Sequence, residues 1–351
     1  MSLILSLLVL STLIFFHELG HYLAARSVGV YVEVFSIGFG KKLFSFKAFE
    51  TEWSISTIPL GGYVKMKGQD DSDPTKKNED EDSYTVKTPL ERMFILISGP
   101  LANFLVAFFL YFIIALANPP ALSPVIGEVL KDSPAFSAGL KKGDTIVEIN
   151  AKEIKSWKEM AQEITSAEGT LSLRIQRDGF LEYKSLTPKL TSTTNLYGEN
   201  IQRKMIGISA SGKTYAEELS FFESIIYAYH KTLDASSMIF TGLQKLIVGD
   251  VPASQMGGVI SIVKITSDAA QVGWMSVAFF TALISVNLGV LNLLPIPALD
   301  GGHIMFNIYE FITKKAPSQE VFMKLTIMGW VLLFGLMGLG LYNDISRLVV
   351  G

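Results

Sequence analysis

The chain begins with an apolar segment that ends in two histidines and a glutamate, and this feature most constrains the fold. Residues 3–16 are almost wholly apolar, and His-Glu-Leu-Gly-His follows at 17–21. On a helix, positions i and i+4 share a face, so His17 and His21 can bind one metal ion with Glu18 beside them. Zinc suits two neutral imidazoles, and a hydrolytic site keeps one position open for water, whose proton Glu18 would take as general base. We therefore expect a metal site, although a chance match or two histidines capping a buried helix would give the same letters.

The composition indicates a mixed membrane and aqueous protein. Of the 351 residues, 49% are hydrophobic and 18% are charged. A net charge of −3 without a basic domain argues against a nucleic-acid partner. There are no cysteines, so any zinc must be held by His, Asp or Glu. The first apolar segment has no basic residue before Arg26 and runs directly into the histidine motif, so we interpret it as a retained transmembrane helix and not as a cleaved signal peptide.

Four apolar segments predict an α-helical membrane protein with four transmembrane helices, a membrane-associated β-hairpin or sheet region and one inserted α+β domain. The predicted membrane segments are a first helix with the histidine motif at 1–30, a second helix at 92–118, a third at 272–303, and a loop with the fourth helix at 304–351. The predicted intervening parts are the β region at 31–68, a charged cytoplasmic linker at 69–91, the inserted domain at 120–190, and a connector at 191–271 that includes an amphipathic helix from Tyr215 to Val248.

The basic residues predict the orientation of these helices. The loop 26–92 carries ten Lys or Arg, and Lys314, Lys315 and Lys324 follow the third segment. The positive-inside rule places both loops in the cytoplasm, so both termini and the inserted domain are expected on the outer side.

Two parts of the chain leave alternatives open. The β region, with turn glycines that include Gly61 and Gly62, is either plain scaffold or an edge strand that pairs with an extended substrate. Asn103, inside the second apolar segment, needs a hydrogen-bond partner; a role in helix packing is favoured over a place near the active site.

The third metal ligand is expected after the third apolar segment. Pro295 and Pro297 break a helix there, and Asp300 follows. Asp300 would complete a His-His-Asp zinc site with a fourth position for water; a cap in a turn is the alternative. His303 is a rival ligand that we place outside the metal's coordination, and His230 is expected at the surface or the membrane interface.

Five motifs together resemble a known family. They are HELGH at 17–21, IPLGGYVKM at 58–66, SGPLAN at 98–103, a stretch similar to bacterial protease-associated PDZ domains at 132–150, and NLLPIPALDGGH at 292–303. In this order and over nearly the whole chain, they resemble the site-2 protease intramembrane metalloproteases, specifically the bacterial regulator-of-sigma-E protease group. Better-known members have two tandem PDZ domains, whereas 120–190 has room for one, and Met256 to Ile262 departs from a Gly-Pro-containing motif of the relatives.

The resemblance implies an enzyme with one zinc ion. It implies His17, His21 and Asp300 as ligands and Glu18 as the catalytic carboxylate. It also implies that the substrate is bound by Asn287, Asn292, Gly61, Gly62 and Tyr63. We add Pro297 to this substrate-binding set.

The resemblance further implies a multi-pass protein of the bacterial cytoplasmic (inner) membrane, with the PDZ domain and termini on the periplasmic side. Expected partners are the lipid bilayer, single-span membrane protein substrates such as cut anti-sigma factors or remnant signal peptides, and a peptide ligand at the PDZ domain if that domain is not a steric filter. Two alternatives are a catalytically silent PDZ adaptor, which has no need for four intact site residues, and a zinc transporter or sensor.

Overall fold

The computed structural model describes residues 2–69, 78–195 and 197–350. The chain divides into two compact units, one of Met1–Ile114 with Glu223–Gly351 and one of Ala115–Phe222. We call the first the apolar unit and the second the inserted unit. Most of the charged run in the predicted linker, at 70–77, lies outside the described residues.

The described residues form helices and strands in the following order. The helices are α1 Ser2–Ser27, α2 Pro89–Leu116, α3 Pro134–Ser137, α4 Trp157–Ser166, α5 Phe221–Val248, α6 Val259–Val272, α7 Trp274–Asn292, α8 Asp300–Thr313 and α9 Gln319–Val350. The strands are β1 Val32–Ala48, β2 Thr51–Met66, β3 Pro120–Leu122, β4 Ile126–Val129, β5 Thr145–Ile149, β6 Lys152–Glu153, β7 Leu171–Arg177, β8 Phe180–Leu186, β9 Lys189–Thr194, β10 Asn200–Met205, β11 Ile208–Ala210 and β12 Thr214–Ala216.

Among the described helices, α1, α2, α7 and α9 are long and apolar enough to cross a membrane. The shortest of them, α7, has 19 residues. At 1.5 Å per residue that length is about 28 Å, close to the roughly 30 Å of a bilayer's hydrocarbon core. The fold therefore contains the four apolar helices that the sequence predicts.

The end of the predicted connector forms α6, and the region predicted as a third span followed by a loop contains α7 and α8. Gly273 separates α6 from α7 with a φ of 139°, a conformation open mainly to glycine. After α7 the chain turns, and α8 begins at Asp300. The prediction of a loop at 304–313 is wrong, because Phe306 and Asn307 are buried in α8 and this packing outweighs the two glycines at its start.

Helix α5 begins later than predicted. The amphipathic pattern was expected to start at Tyr215, but that residue lies in β12. On α5, Ala228 and Ala235 are buried in one cluster with Tyr111 of α2 and Val286 of α7. The apolar face of α5 therefore packs against α2 and α7, and its small side chains permit a close approach.

Strands β1 and β2 pair in an antiparallel manner, and the first part of β1 is paired with β2 along both of its edges. Phe35 lies opposite Val64 on one side and Trp53 on the other, and Trp53 also lies opposite Phe46. Phe35 is buried in a cluster with residues of α1, so the sheet packs against that helix. Within the described residues, 62–66 are paired along one side only, and they form an edge of the sheet.

The inserted unit is an α+β domain with its own core. Its largest sheet has the strand order β6-β5-β7-β8. Ile126 of β4, Ile146 of β5, Leu173 of β7 and Met160 of α4 are buried together beneath it. This cluster is what lets the unit exist as a separate compact body.

The inserted unit extends beyond the predicted limits of 120–190. The residues predicted as the first part of the connector form β10, β11 and β12. Ile208 of β11 lies opposite Val129 of β4, and Tyr215 of β12 lies opposite Ala121 of β3. Strands of three residues, such as β11 and β12, are too short to show an alternating pattern. Their partners lie 79 and 94 residues earlier in the chain, so local pattern could not reveal the pairing.

Candidate metal centre

Helix α1 presents two histidines to one point, and α8 brings a carboxylate to them. The Nε2 atoms of His17 and His21 are 3.2 Å apart. Oδ2 of Asp300 lies 3.3 Å from Nε2 of His17 and 3.5 Å from Nε2 of His21. His21 is buried and the other two are half-buried. The structure thus brings together the three residues that the sequence predicts as ligands.

The spacing and chemistry of this group fit zinc. Zinc bonds to histidine nitrogen are about 2.0–2.1 Å long, which at tetrahedral angles places neighbouring ligand atoms about 3.3 Å apart. The observed separations of 3.2, 3.3 and 3.5 Å bracket that value. Oδ2 of Asp300 is buried and, among the described residues, has no hydrogen bond that satisfies it. Three electron-rich atoms facing one point are best satisfied by a cation.

Helix α2 fixes the ring of His21. Nδ1 of His21 donates to the main-chain oxygen of Ile95 at 2.9 Å, which keeps the proton on Nδ1 and leaves the lone pair of Nε2 facing the centre. A Cβ atom on Gly99 would lie 2.2 Å from Nε2 of His21. The ring therefore occupies the space that any larger residue at 99 would fill.

Asn103 contacts His17, a role that the sequence analysis ranked second to helix packing. Its side-chain amide lies 3.1 Å from Nδ1 of His17. The signal in the sequence was an amide inside an apolar run. The histidine it meets lies 86 residues away, and the sequence alone does not reveal that pairing.

Asp300 is placed by the turn between α7 and α8. Pro295 and Pro297 lie in this turn, where the sequence predicts the helix to break. Asp300 is the first residue of α8, so its negative charge lies at the positive end of the helix dipole. A Cβ on Gly302 would lie 2.4 Å from Cα of Pro297, so the turn packs directly on the first turn of α8. That contact fixes the position of the Asp300 carboxylate relative to α1.

Glu18 lies against the sheet edge at Gly62. It follows His17 on α1 and is half-buried. A Cβ on Gly62 would lie 2.9 Å from Cγ of Glu18 and 2.9 Å from the main-chain oxygen of Ser36. The next residue, Tyr63, stacks on Phe39 with ring centroids 6.2 Å apart. The side chain of Glu18 is thus adjacent to the strand that forms the edge of the sheet.

Comparison with known proteins identifies the family. The model of Peptidase family M50 matches residues 5–336. The chain belongs to peptidase family M50. This membership confirms the enzyme class predicted from the sequence, a zinc-dependent peptidase of the site-2 protease type.

Relatives of this M50 peptidase match it end to end. A candidate zinc metalloprotease of Campylobacter jejuni is 46% identical over 344 residues, covering 98% of this chain and 93% of its own. A second, from Helicobacter pylori strain J99, is 42% identical over 352 residues and covers 99% of each chain. Among solved structures, the PDZ domain of an SdrC-like protein from Listeria innocua matches at 23% identity with a TM-score of 0.21, covering 27% of this chain and 99% of that one. At that score the likeness carries no argument about the fold.

Three other residues of the predicted substrate site lie in α7 or in the turn that follows it. Asn287 lies within α7 and Asn292 is its last residue, and both are half-buried. Pro297 is buried against the backbone of α8. Their contact with a substrate stays a prediction, as does that of Gly61.

The two other histidines do not belong to the group of three. His303, the rival ligand, packs on the rings of Phe306 and Phe322 in α8 and α9. The ring of His230 lies against Tyr229 on α5.

Proposed function

We propose that this M50 peptidase is an intramembrane zinc endopeptidase that cleaves the transmembrane segments of other membrane proteins. The observation that carries the proposal is the position of the group formed by His17, His21 and Asp300. Two of its members lie on a helix long and apolar enough to cross a bilayer. Such polar groups are expensive in lipid, so their convergence on one point favours a catalytic purpose.

Each residue of the centre has a proposed role. Zinc, when bound by His17, His21 and Asp300, would supply the Lewis-acid chemistry that polarises a peptide carbonyl and promotes loss of a proton from water. Glu18 takes that proton as general base. It then passes the proton to the amide nitrogen as the C–N bond breaks, which leaves one new carboxylate and one new amine.

The sheet edge at 62–66 is the proposed docking site for the substrate. A helical substrate hides its carbonyls in hydrogen bonds, so it must become extended before it can be cut. Pairing with the outer edge of the sheet at 62–66 would replace the hydrogen bonds that the helix loses. Gly62 supports this proposal because its missing side chain lets the strand, and therefore a strand added to it, lie against Glu18.

We further propose the location and the partners. The predicted orientation places the termini and the inserted unit on the periplasmic side of a bacterial cytoplasmic membrane. By family resemblance, substrates are single-span proteins such as anti-sigma factors already cut on that side, or remnant signal peptides. The inserted unit, as a PDZ domain, would bind a peptide terminus or restrict access to the membrane site.

Cleavage of a single-span model protein by the purified enzyme in detergent tests the proposal. Wild type is compared with Glu18→Gln, and bound zinc is quantified in both. Glu320→Gln is a matched control, since Glu320 is exposed on α9 and pairs with Lys324 one turn away. We expect Glu18→Gln to keep its zinc and to lose about 10²–10⁴-fold in rate, while Glu320→Gln behaves as wild type.

The same experiment separates the rival functions. If wild type and Glu18→Gln both hold zinc and neither cuts any of several substrates, an adaptor or a zinc sensor explains the protein better. If wild type holds no metal, the assignment of His17, His21 and Asp300 as ligands is wrong.

A further inference from the structure

Both imidazoles of the centre are tied through Nδ1 to the same helix, but by different groups. His21 uses the main-chain oxygen of Ile95 on α2, at 2.9 Å. His17 uses the side-chain amide of Asn103, two turns further along α2, at 3.1 Å. A backbone carbonyl is present whatever the residue, whereas the contact to His17 depends on the side chain at position 103.

The chemistry of a histidine ligand defines what Asn103 must do. A neutral imidazole that offers the lone pair of Nε2 to a metal carries its proton on Nδ1. That N–H needs an acceptor, which orients the ring and makes Nε2 a stronger donor to the metal. At His17 the contact on that side is with the amide of Asn103. The matching end of the amide is therefore its oxygen.

The amide of Asn103 can supply that oxygen by a half-turn. In the structure Nδ2 faces His17, while Oδ1 is buried and has no hydrogen-bond partner among the described residues. The two ends of an amide are nearly equal in size and shape, so rotation about χ2 exchanges them in the same space. Once Nδ1 of His17 carries the proton, two N–H groups would face each other unless the oxygen turns inward.

The surroundings of Asn103 keep the amide at this place. Asn103 is fully buried, with 0% of its surface exposed. Its main-chain oxygen accepts a hydrogen bond of 2.7 Å from Oγ of Ser285 on α7, and this contact is also buried. α2 is therefore held against both α1 and α7 where the amide meets His17.

We propose that Asn103 is a positioning residue of the metal centre. Its side-chain oxygen accepts the Nδ1 proton of His17, holds the ring in the tautomer that presents Nε2, and thereby raises the affinity of the site for zinc. This inference rests on the proposed function, since it requires His17 to be a ligand.

The test measures zinc affinity by competition with a chromophoric chelator, using the full chain in detergent. Asn103→Leu keeps about the same volume and removes the acceptor. Asn103→Asp keeps an acceptor oxygen in the same position. We expect Asn103→Leu to weaken zinc binding about 10- to 100-fold and Asn103→Asp to restore most of the loss. Ser285→Ala is the matched control: it removes the neighbouring buried hydrogen bond and leaves the amide in place, so zinc affinity stays as in wild type.

Cobalt substitution gives a second readout that a purely structural role would not change. The visible absorption of bound Co²⁺ reports the ligand field, which should shift in Asn103→Leu and return in Asn103→Asp. If Asn103→Leu does not fold, Asn103→Ala takes its place, with the same expected loss.

Three outcomes overturn the inference. Asn103→Leu or Asn103→Ala binding zinc as tightly as wild type excludes the role, and Asn103→Asp binding as weakly as Asn103→Leu excludes an acceptor as its basis. His17→Ala is measured in parallel: if it binds zinc like wild type, the metal site itself is wrong and the inference falls with it. If His17→Ala loses zinc while Asn103→Leu does not, the proposed function stands and only the role of Asn103 is refuted.

Discussion

Replacing Gly99 by alanine should damage the metal centre without changing any proposed ligand. A Cβ at this position would lie 2.2 Å from Nε2 of His21 and 2.5 Å from Cε1. Ordinary contact begins at 3.4 Å, so the ring of His21 would have to retreat by 3.4 − 2.2 = 1.2 Å, or α1 and α2 would have to separate by a similar amount.

A displacement of 1.2 Å is large for a metal site. Ligand distances in zinc sites hold to within about 0.2 Å. Separation of the helices would break the close packing of α1 on α2 beside this site. Gly20 of α1 is so close to α2 that a Cβ there would lie 2.2 Å from the main-chain oxygen of Ser98. The ring must therefore give up its hydrogen bond to Ile95, its place at the metal, or both. We expect zinc affinity to fall about 100-fold, equivalent to about 2.8 kcal/mol.

The assay is chelator competition on the purified Gly99→Ala protein, with its thermal unfolding in detergent recorded alongside. Gly338→Ala is the control, since a Cβ on that residue of α9 would meet no described atom within 4 Å outside its own stretch of helix. Zinc binding by Gly99→Ala that equals both wild type and the control would refute the reasoning, because it would mean that His21 can move freely or is not a ligand.

Three further predictions concern the sheet edge, the inserted unit and the metal. Gly62→Ala should lower kcat about 100-fold with zinc retained, because its Cβ displaces the strand from Glu18. Gly335→Ala should leave kcat unchanged, because its Cβ would meet no described atom within 4 Å outside its own stretch of helix. In the inserted unit, burial by itself would raise the pKa of Asp144, but the hydrogen bonds from Arg177 lower that pKa below its usual value. The stability that these hydrogen bonds add is therefore present above about pH 4, and it is lost as the pH falls through the lowered pKa. Asp144→Asn should remove that pH dependence and cost about 3 kcal/mol at neutral pH, as measured by hydrogen exchange in β5. Chelation should lower the unfolding temperature of wild type, because zinc binds only the folded state, and should leave that of a variant without Asp300 unchanged.

The parts of the site that the sequence predicts are those encoded over short distances. His17, Glu18 and His21 lie within two turns of one helix, so helical periodicity alone places them together. Asp300 could be found because two prolines before it break an apolar helix, which marks a polar region at that depth. These inferences need no knowledge of which helices are neighbours.

The parts that the sequence does not predict depend on pairing between distant segments. The contact of Asn103 with His17 follows from the packing of α2 on α1, and no local pattern specifies that packing. The pairing of Ile208 with Val129 also joins distant segments. Because of it, the inserted unit ends beyond the predicted limit at residue 190. Helix α8 was missed because glycines at its start lower the local helix propensity, while burial of Phe306 supplies the stability.

The centre is assembled from rigid elements, and this bears on how it would work in lipid. α1 supplies the two histidines, and α8 supplies the carboxylate from its first residue. α2 contacts both rings, through the main-chain oxygen of Ile95 and the side-chain amide of Asn103, and leaves space for His21 at Gly99. His17, His21 and Asp300 all lie on helices. The packing of these helices therefore already compensates the conformational entropy that is lost when the site is ordered. Water is scarce at the depth of a bilayer, and a site that had to rearrange there would leave polar groups unsatisfied at each step. Under the proposed function, a preformed group of His17, His21 and Asp300 with a sheet edge beside Glu18 avoids that penalty. The unwinding of the substrate would then be the conformational change that the proposed reaction requires.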